Sequence, residues 1–178
     1  EERLKAIAAQ VQELSRKVGG HGDVDEALLK EVNNLVESPT ALLGEYEQSH
    51  LELPKEVLIS VMKKHQRYFP VQDKNGALLP YFITIRNGGS QHLEVVKDGN
   101  EQVVRARFVD AAYFIKEDIT KPLEAYIPLL TSLTFQKKLG SMLDKSRRVE
   151  ALVQKILITV EVNPEQRATA LRAAQLCK

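Results

Sequence analysis

A β-hairpin at residues 68–86 is the feature that most constrains the fold. Two extended segments, Tyr68–Gln72 and Leu79–Arg86, lie on either side of the turn residues Asp73–Gly76, and this spacing predicts antiparallel pairing. The second segment contains the aromatic and β-branched run Tyr81–Ile85, which is typical of a strand buried in a sheet. The hairpin therefore indicates a small antiparallel sheet.

Helical patterns surround this hairpin, and their apolar residues recur at the 3.6-residue period. We predict helices over residues 4–18, 28–36, 55–66 and 101–117, a short strand over 41–46 and a short helix ending at Gly99. Gly19 ends the first helix, Asp23 or Asp25 caps the second, and Asn100 caps the last of these helices. Helices with a small antiparallel sheet, rather than alternating βαβ units, indicate an α+β module over residues 1–128.

The pattern changes after Pro122 and Pro128. Apolar residues from Leu133 to Leu157 extend helical periodicity to about residue 160, and Asn163–Gln166 has the capping sequence of a further helix. We predict that residues 129–178 are the truncated beginning of a separate all-helical domain. The sequence starts inside a helical pattern without an initiator Met, so we expect the chain to be an internal fragment.

Composition limits the classes of partner. The 178 residues carry 28% charged side chains but a formal net charge of only +1, so contact with nucleic acid must come from local patches. A single cysteine excludes a disulfide within the chain and suits a reducing compartment. No apolar run approaches the ~20 residues that span a bilayer, so we predict no membrane partner.

Signals for catalysis are missing from the sequence. The four histidines are scattered without zinc-ligand spacing, and the glycines form neither a P-loop nor a Gly-x-Gly-x-x-Gly motif. We therefore assign no catalytic, cofactor-binding or metal-binding residue.

Four residues at the predicted helix-to-strand junction, Lys64, His65, Arg67 and Tyr68, combine cationic and aromatic chemistry. Cations neutralise phosphates, while rings and guanidinium planes stack on unpaired bases, so this mixture suits RNA. The alternative is that Tyr68 belongs to the core and that the charges are a solvated helix end, favoured by the helix dipole.

Other cations allow the same two interpretations. Arg105 shares a predicted helix with Arg107 and Asp110, and structural pairing is the alternative to an RNA contact there. A basic cluster follows in the second half of the chain, and it is either an RNA-facing stripe or the wet face of a helix. Its members are Lys137, Lys138, Lys145, Arg147 and Arg148.

Several collinear blocks resemble the β subunit of bacterial two-subunit glycyl-tRNA synthetase. They extend over about residues 25–150, and their joint order is specific although each block alone is weak. The main blocks are Leu53–Ile59, His65–Val71, Leu79–Thr84, Arg86–Gly88, Arg105–Arg107 and Phe135–Ser141.

This resemblance implies a function and a set of partners. The family joins glycine to tRNA(Gly) in the cytoplasm as an α2β2 tetramer, and ATP with Mg²⁺ is used by the α subunit. The resemblance also implies that residues 1–128 are similar to the editing-type module of phenylalanyl-tRNA synthetase and that the later helices open an HD-type domain.

Within that family we expect a non-catalytic role that supports tRNA binding. The expected tRNA contacts are Lys64, His65, Arg67, Tyr68, Arg86, Arg105, Lys137, Lys138, Arg147 and Arg148. Two alternatives stay open, a hydrolytic editing (deacylase) domain and a structural spacer. Editing ranks lower because glycine is the smallest amino acid, so a site for it can exclude larger ones sterically.

Overall fold

The computed structural model describes all residues from Glu1 to Lys178. The chain forms two compact units, Glu1–Ile115 and Lys116–Lys178. No helix combines the length and the apolar character needed to cross a bilayer.

The first unit contains a four-stranded antiparallel sheet and helices, which confirms the α+β class. Its elements in chain order are α1 (Glu2–Lys17), β1 (His21–Gly22), α2 (Glu26–Leu35), β2 (Pro39–Glu45), a 3-10 helix (Gln48–Glu52), α3 (Lys55–Ser60), a π-helix (Val61–Gln66), β3 (Phe69–Gln72), β4 (Leu78–Asn87) and the beginning of α4 (Leu93–Asp118).

The second unit is mainly helical. Its elements after α4 are a 3-10 helix (Leu123–Ser132), β5 (Thr134–Gln136), β6 (Gly140–Ser141), α5 (Met142–Thr159) and α6 (Pro164–Leu176). The predicted division at residues 128 and 129 falls inside the 3-10 helix, and the assignment of two separate domains stays a prediction.

The predicted hairpin is confirmed and forms the centre of the sheet. The strand order is β1-β3-β4-β2, and β3 pairs with β4 so that Phe69 lies opposite Ile83. On its other edge β4 pairs with β2 from Pro39 opposite Asn87 to Glu45 opposite Tyr81. The predicted strand at residues 41–46 is therefore present and begins two residues earlier.

Strand β4 is buried on both faces. Phe82 and Ile83 are each fully buried, and neighbouring side chains of a strand point to opposite faces. Ile83 packs in a cluster with residues of α1 and α2, whereas Phe82 packs in a second cluster with Met62 and with Phe108 of α4. Helices therefore cover both sides of the sheet.

Local sequence signals explain how the first helices begin and end. Gly19 adopts a left-handed φ of 73° directly after α1, as a residue without Cβ can do at low cost. Of the two predicted caps, Asp25 is the N-cap of α2 and accepts the backbone N–H groups of Ala27 and Leu28 at 2.8 and 3.0 Å. Asp23 instead forms an ion pair with Lys63.

The prediction of a helix break at Gly99 and Asn100 was wrong. Helix α4 runs through both residues without interruption. The Asn100 amide donates to the carbonyl oxygen of Val96 at 2.6 Å and accepts the Tyr68 hydroxyl at 2.5 Å. The side-chain oxygen of Asn100, which would accept a backbone N–H group in a helix cap, therefore accepts the hydroxyl of the distant residue Tyr68.

The prediction of an all-helical second region was also wrong in one place. Leu133 and Leu139 belong to the predicted helical pattern, but Leu133 directly precedes β5 and Leu139 lies in the turn between β5 and β6. Strands of two or three residues are too short to produce a period-two pattern. The predicted helix start at Asn163 is confirmed, because Asn163 and Gln166 form a reciprocal capping box.

Two glycines should respond oppositely to alanine. A Cβ at Gly44 would collide with the Phe82 ring, so Gly44→Ala should lower the free energy of unfolding by about 1–3 kcal/mol through overpacking. A Cβ at Gly99 meets no atom, so Gly99→Ala should raise it by about 0.5–1 kcal/mol through helix propensity. Urea unfolding of both variants checks this expectation, and changes of the same sign would contradict the described packing.

Candidate functional site

The predicted helix-to-strand junction is a π-helix followed by a left-handed residue. Single-turn π-helices frequently mark functional sites. The π-helix Val61–Gln66 ends at Arg67, whose φ is 58° and whose ψ is 36°. The Tyr68 backbone N–H then donates to the Met62 carbonyl oxygen at 2.9 Å. This geometry leaves Lys64 and His65 exposed and directs the chain into the sheet at Tyr68.

Tyr68 is a core residue. Only 4% of its surface is exposed, and its ring stacks on Phe82 with 4.7 Å between the ring centroids. Its hydroxyl donates to Asn100, and burial raises the pKa of Tyr68. Tyr68 is therefore part of the core, and its ring is not free to stack on an RNA base in this arrangement.

Carboxylates of α2 and the preceding loop neutralise most of the junction's positive charge. The Lys63 ammonium lies 2.7 Å from Asp23 and 3.4 Å from Asp25, and Arg67 Nε lies 2.5 Å from Glu31 Oε1. The backbone N–H of Leu28, with help from Lys63, lowers the pKa of Asp25 below its ordinary value. Of the predicted junction residues, Lys64 and His65 are thus exposed without an ion pair.

A groove of about 470 Å³ lies beside this junction, between α2 and α3. Leu28 and Ile59 contribute its apolar wall. Its charged side chains are Asp25, Glu31, Glu56, Lys63 and Lys64. Carboxylates outnumber ammonium groups there, so the groove does not favour a polyanion such as RNA.

The two predicted arginines elsewhere in the first unit are both engaged. Arg86 Nη1 donates to the carbonyl oxygen of Gln91 at 2.7 Å. Arg105 Nε lies 2.6 Å from Glu47 Oε1, so the observed ion pair joins Arg105 to Glu47. Glu47's own backbone N–H and then the Arg105 guanidinium hold the pKa of Glu47 below its ordinary value.

The basic cluster of the second unit carries unpaired charges, as Lys64 does in the first unit. Lys137 and Lys138 are exposed in the turn between β5 and β6, which corrects their predicted place on a helix face. Arg147 and Arg148 are exposed in the first half of α5. None of the four forms an ion pair with a carboxylate, in contrast to Arg67 and Arg105 of the first unit.

Two acidic residues, Asp144 and Glu150, lie within this part of the sequence, and Asp144 takes part in a helix cap. Its Oδ2 accepts both the backbone N–H and the hydroxyl of Ser141 at 2.8 Å. The Ser141 backbone N–H is the main cause that lowers the pKa of Asp144, and the arginines at 147 and 148 contribute less. Oδ2 of Asp144 is thus occupied by the cap at the start of α5.

Sequence reasoning missed one residue of this cluster. Phe135 on β5 is 39% exposed, and the Lys145 ammonium lies 4.2 Å from the centroid of its ring. The available signal was its position two residues before Lys137 and three before Lys138. The same combination of aromatic and cationic residues occurs at the helix-to-strand junction.

Positive charge is concentrated in the second unit. Residues 116–178 contain eleven Lys and Arg against seven Asp and Glu, a formal charge of +4, whereas residues 1–115 contain fourteen against seventeen, a formal charge of −3. The near-neutral net charge of the chain therefore conceals a separation of charge along the sequence. An electrostatic contact with a polyanion is favoured in the second unit.

Comparison with known proteins identifies relatives over the whole chain. A family model described as "Glycyl-tRNA synthetase beta subunit" matches residues 1–178. The glycine–tRNA ligase β subunit of Bacillus subtilis is 45% identical over 176 residues, which cover 99% of this chain and 26% of that protein. The corresponding proteins of Clostridioides difficile and Trichodesmium erythraeum are 47% and 42% identical, and in each case 99% of this chain covers 25% of the relative. The chain thus spans about a quarter of the length of these curated relatives.

The capping role of Asp25 leads to a pH-dependent expectation. Asp25→Ala should lower the free energy of unfolding by about 1 kcal/mol at pH 7, because it removes the acceptor of two helix N–H groups. Asp25→Asn keeps an acceptor and should cost less. Because the folded-state pKa of Asp25 lies below its ordinary value of 3.8, stability from the charged form is present above that value and is lost as the pH falls through the folded pKa.

Urea unfolding of the wild-type chain and both variants between pH 7 and pH ~2.5 tests this sign, since the range brackets the ordinary carboxyl pKa. The wild-type advantage over Asp25→Asn should shrink in acid. An advantage that is constant or grows in acid would contradict the role of the charged carboxylate.

Proposed function

The chain belongs to the glycyl-tRNA synthetase β-subunit family, and we propose that it is a non-catalytic part of glycine–tRNA ligase that supports the binding of tRNA(Gly). The observation that carries this proposal is the unpaired basic cluster of Lys137, Lys138, Arg147 and Arg148 in the second unit. Its partners would be the tRNA and the α subunit of an α2β2 tetramer in the cytoplasm.

Electrostatics supports a tRNA contact at this cluster. Lysines and arginines that neutralise phosphates release condensed counterions, which supplies much of the sequence-independent affinity for nucleic acid. A cation already paired with a carboxylate gains less from a phosphate, because the pair must first be broken. Lys137 and Lys138 carry no such cost, whereas Arg67 and Arg105 do.

The division of labour with the α subunit is the second element of the proposal. The sequence has no glycine-rich phosphate loop of the P-loop or dinucleotide type. This supports the assignment of ATP, Mg²⁺ and glycine activation to the α subunit, with no catalytic residue in this chain.

The fold assignments implied by the sequence belong to the same proposal. The α+β first unit would correspond to a module similar to the editing-type module of phenylalanyl-tRNA synthetase. The second unit, with its capped helices α5 and α6, would be the start of an HD-type domain. Neither assignment carries a hydrolytic activity to this chain.

Charge reversal of the basic cluster should weaken tRNA use selectively. In the α2β2 enzyme, the combined changes Lys137→Glu, Lys138→Glu, Arg147→Glu and Arg148→Glu should raise the KM for tRNA(Gly). For every phosphate that is no longer neutralised, the slope of log affinity against log salt should also fall by about 0.7–0.9. Glycine-dependent pyrophosphate exchange should stay unchanged, because that reaction does not use tRNA.

A matched control removes the same number of positive charges from exposed positions of the first unit. It combines Lys5→Glu, Arg16→Glu, Lys74→Glu and Arg107→Glu, whose wild-type side chains are exposed and form no ion pair, and it should leave the KM for tRNA near the wild-type value. Equal increases in the KM for tRNA in both quadruple variants would mean that net charge, and not this particular cluster, causes the effect. An unchanged KM and salt response in the cluster variant would leave a structural spacer as the better account.

The chain without the α subunit should be inactive in glycine activation. We expect no glycine-dependent pyrophosphate exchange and no charging of tRNA by the purified 178-residue chain. Measurable exchange at any glycine concentration would refute the non-catalytic assignment. Hydrolysis of mischarged tRNA by the same chain would instead favour the editing alternative.

A further inference from the structure

Phe135 is an exposed aromatic residue beside Lys145 in the basic cluster. Its side chain sits on β5, two residues before the turn that carries Lys137 and Lys138. Its large apolar ring is 39% exposed, and contact with water does not stabilise it. The cations around it make an apolar protein surface a poor complement, because desolvating several charges would oppose the contact.

The hairpin that presents this ring is fixed to helix α5. Thr134 pairs with Ser141 and Gln136 with Gly140 across the two strands, and the Met142 backbone N–H donates to the Leu133 carbonyl oxygen at 2.8 Å. Gly140 adopts a φ of 79°, and a Cβ there would collide with the Asp144 carboxylate. The ring and the cations of α5 therefore share one compact support.

Lys145 places a cation over the face of the Phe135 ring. Its ammonium lies 4.2 Å from the ring centroid, within the range of a cation–π contact. A contact of this kind that is partly open to water contributes little, so Lys145 can turn from the ring to a phosphate without a large cost. A base that stacks on Phe135 would therefore displace Lys145, whose ammonium group could then contact a phosphate of the same RNA.

We propose that Phe135 is a stacking platform for an unpaired RNA base, with Lys137, Lys138 and Lys145 holding the flanking phosphates. This inference rests on the proposed tRNA contact and specifies which part of an RNA is recognised. A single protein ring reaches the face of a base only where that base is not stacked inside a duplex. The ligand class is therefore single-stranded RNA, such as a loop or an unpaired end.

Stacking and charge neutralisation can be separated by their salt dependence. The probes are a fluorescein-labelled eight-nucleotide single-stranded RNA and a labelled RNA hairpin whose stem is fully paired, both titrated against the 178-residue chain at several salt concentrations. Phe135→Leu should weaken the single-stranded probe by about tenfold without changing the slope of log affinity against log salt. Lys137→Gln should reduce that slope by about 0.7.

Phe114 supplies the matched control. It is 62% exposed in the first unit, and its ring contacts Tyr113 rather than a cation. Phe114→Leu should leave both affinities unchanged. Equal weakening by Phe114→Leu and Phe135→Leu would overturn the assignment of Phe135.

A tryptophan variant reports the stacking directly, because the chain contains no tryptophan. Phe135→Trp should keep the affinity for the single-stranded probe, and its emission should be quenched when that RNA binds, whereas Phe114→Trp should not be quenched. Unchanged emission of Phe135→Trp at saturating RNA would overturn the stacking proposal. This readout does not depend on the stability of the Phe135→Leu variant.

The outcomes distinguish this inference from the proposed function. If the quadruple charge-reversal variant loses affinity while Phe135→Leu binds as the wild type does, the basic cluster contacts RNA and the stacking role is refuted. If the wild-type chain prefers the paired hairpin, or Phe135→Leu weakens both probes alike, the selectivity for unpaired bases is refuted. If neither RNA binds to the wild-type chain, the proposed tRNA contact fails together with the inference.

Discussion

Burial of β4 on both faces is the constraint on which the first unit depends. An antiparallel sheet often leaves one face in water, but Phe82 and Ile83 are both fully buried on opposite sides. Each face therefore requires its own cover, which α1 and α2 provide for Ile83, and the π-helix with α4 for Phe82. The position of the junction around Tyr68 follows, because Tyr68 stacks on the same Phe82 ring. The exposed side chains of the junction are those that this packing leaves outside.

Where a pattern is local, the sequence was sufficient to predict the structure. The β3–β4 hairpin, the strand at residues 41–46, the cap at Asp25 and the capping box at Asn163 depend on neighbours within a few residues, and all are present. The errors arose where a distant partner decides. The side chain of Asn100 has cap chemistry, but the hydroxyl of Tyr68 engages it inside an uninterrupted helix. The short β5–β6 hairpin depends on its attachment to α5 and leaves almost no periodic signal.

The same distinction explains the candidate site. Residue type alone made Lys64, Arg67, Arg86, Arg105 and the later cations equivalent. Tertiary structure separates them, because Arg67 and Arg105 lie beside carboxylates that are 36 and 58 residues away in sequence. Such pairing is not visible in a window of a few residues. Lys137 and Lys138 lie in the turn between β5 and β6 and form no ion pair, while the next carboxylate along the chain, Asp144, caps α5. The exposed ring of Phe135 has no clear signal of its own in the sequence, because the pattern around it predicts a helix.

Lysine reactivity of the intact α2β2 enzyme, with and without tRNA(Gly), tests the central claim most directly. Brief acetylation followed by mass spectrometry measures the solvent access of each lysine separately. Bound tRNA should protect Lys137, Lys138 and Lys145, while Lys17 and Lys30, which are paired with Glu13 and Glu26 on exposed helix faces, should keep their reactivity. Protection confined to the first unit, or no protection of the three lysines at saturating tRNA, would contradict the assignment of the tRNA contact to the second unit.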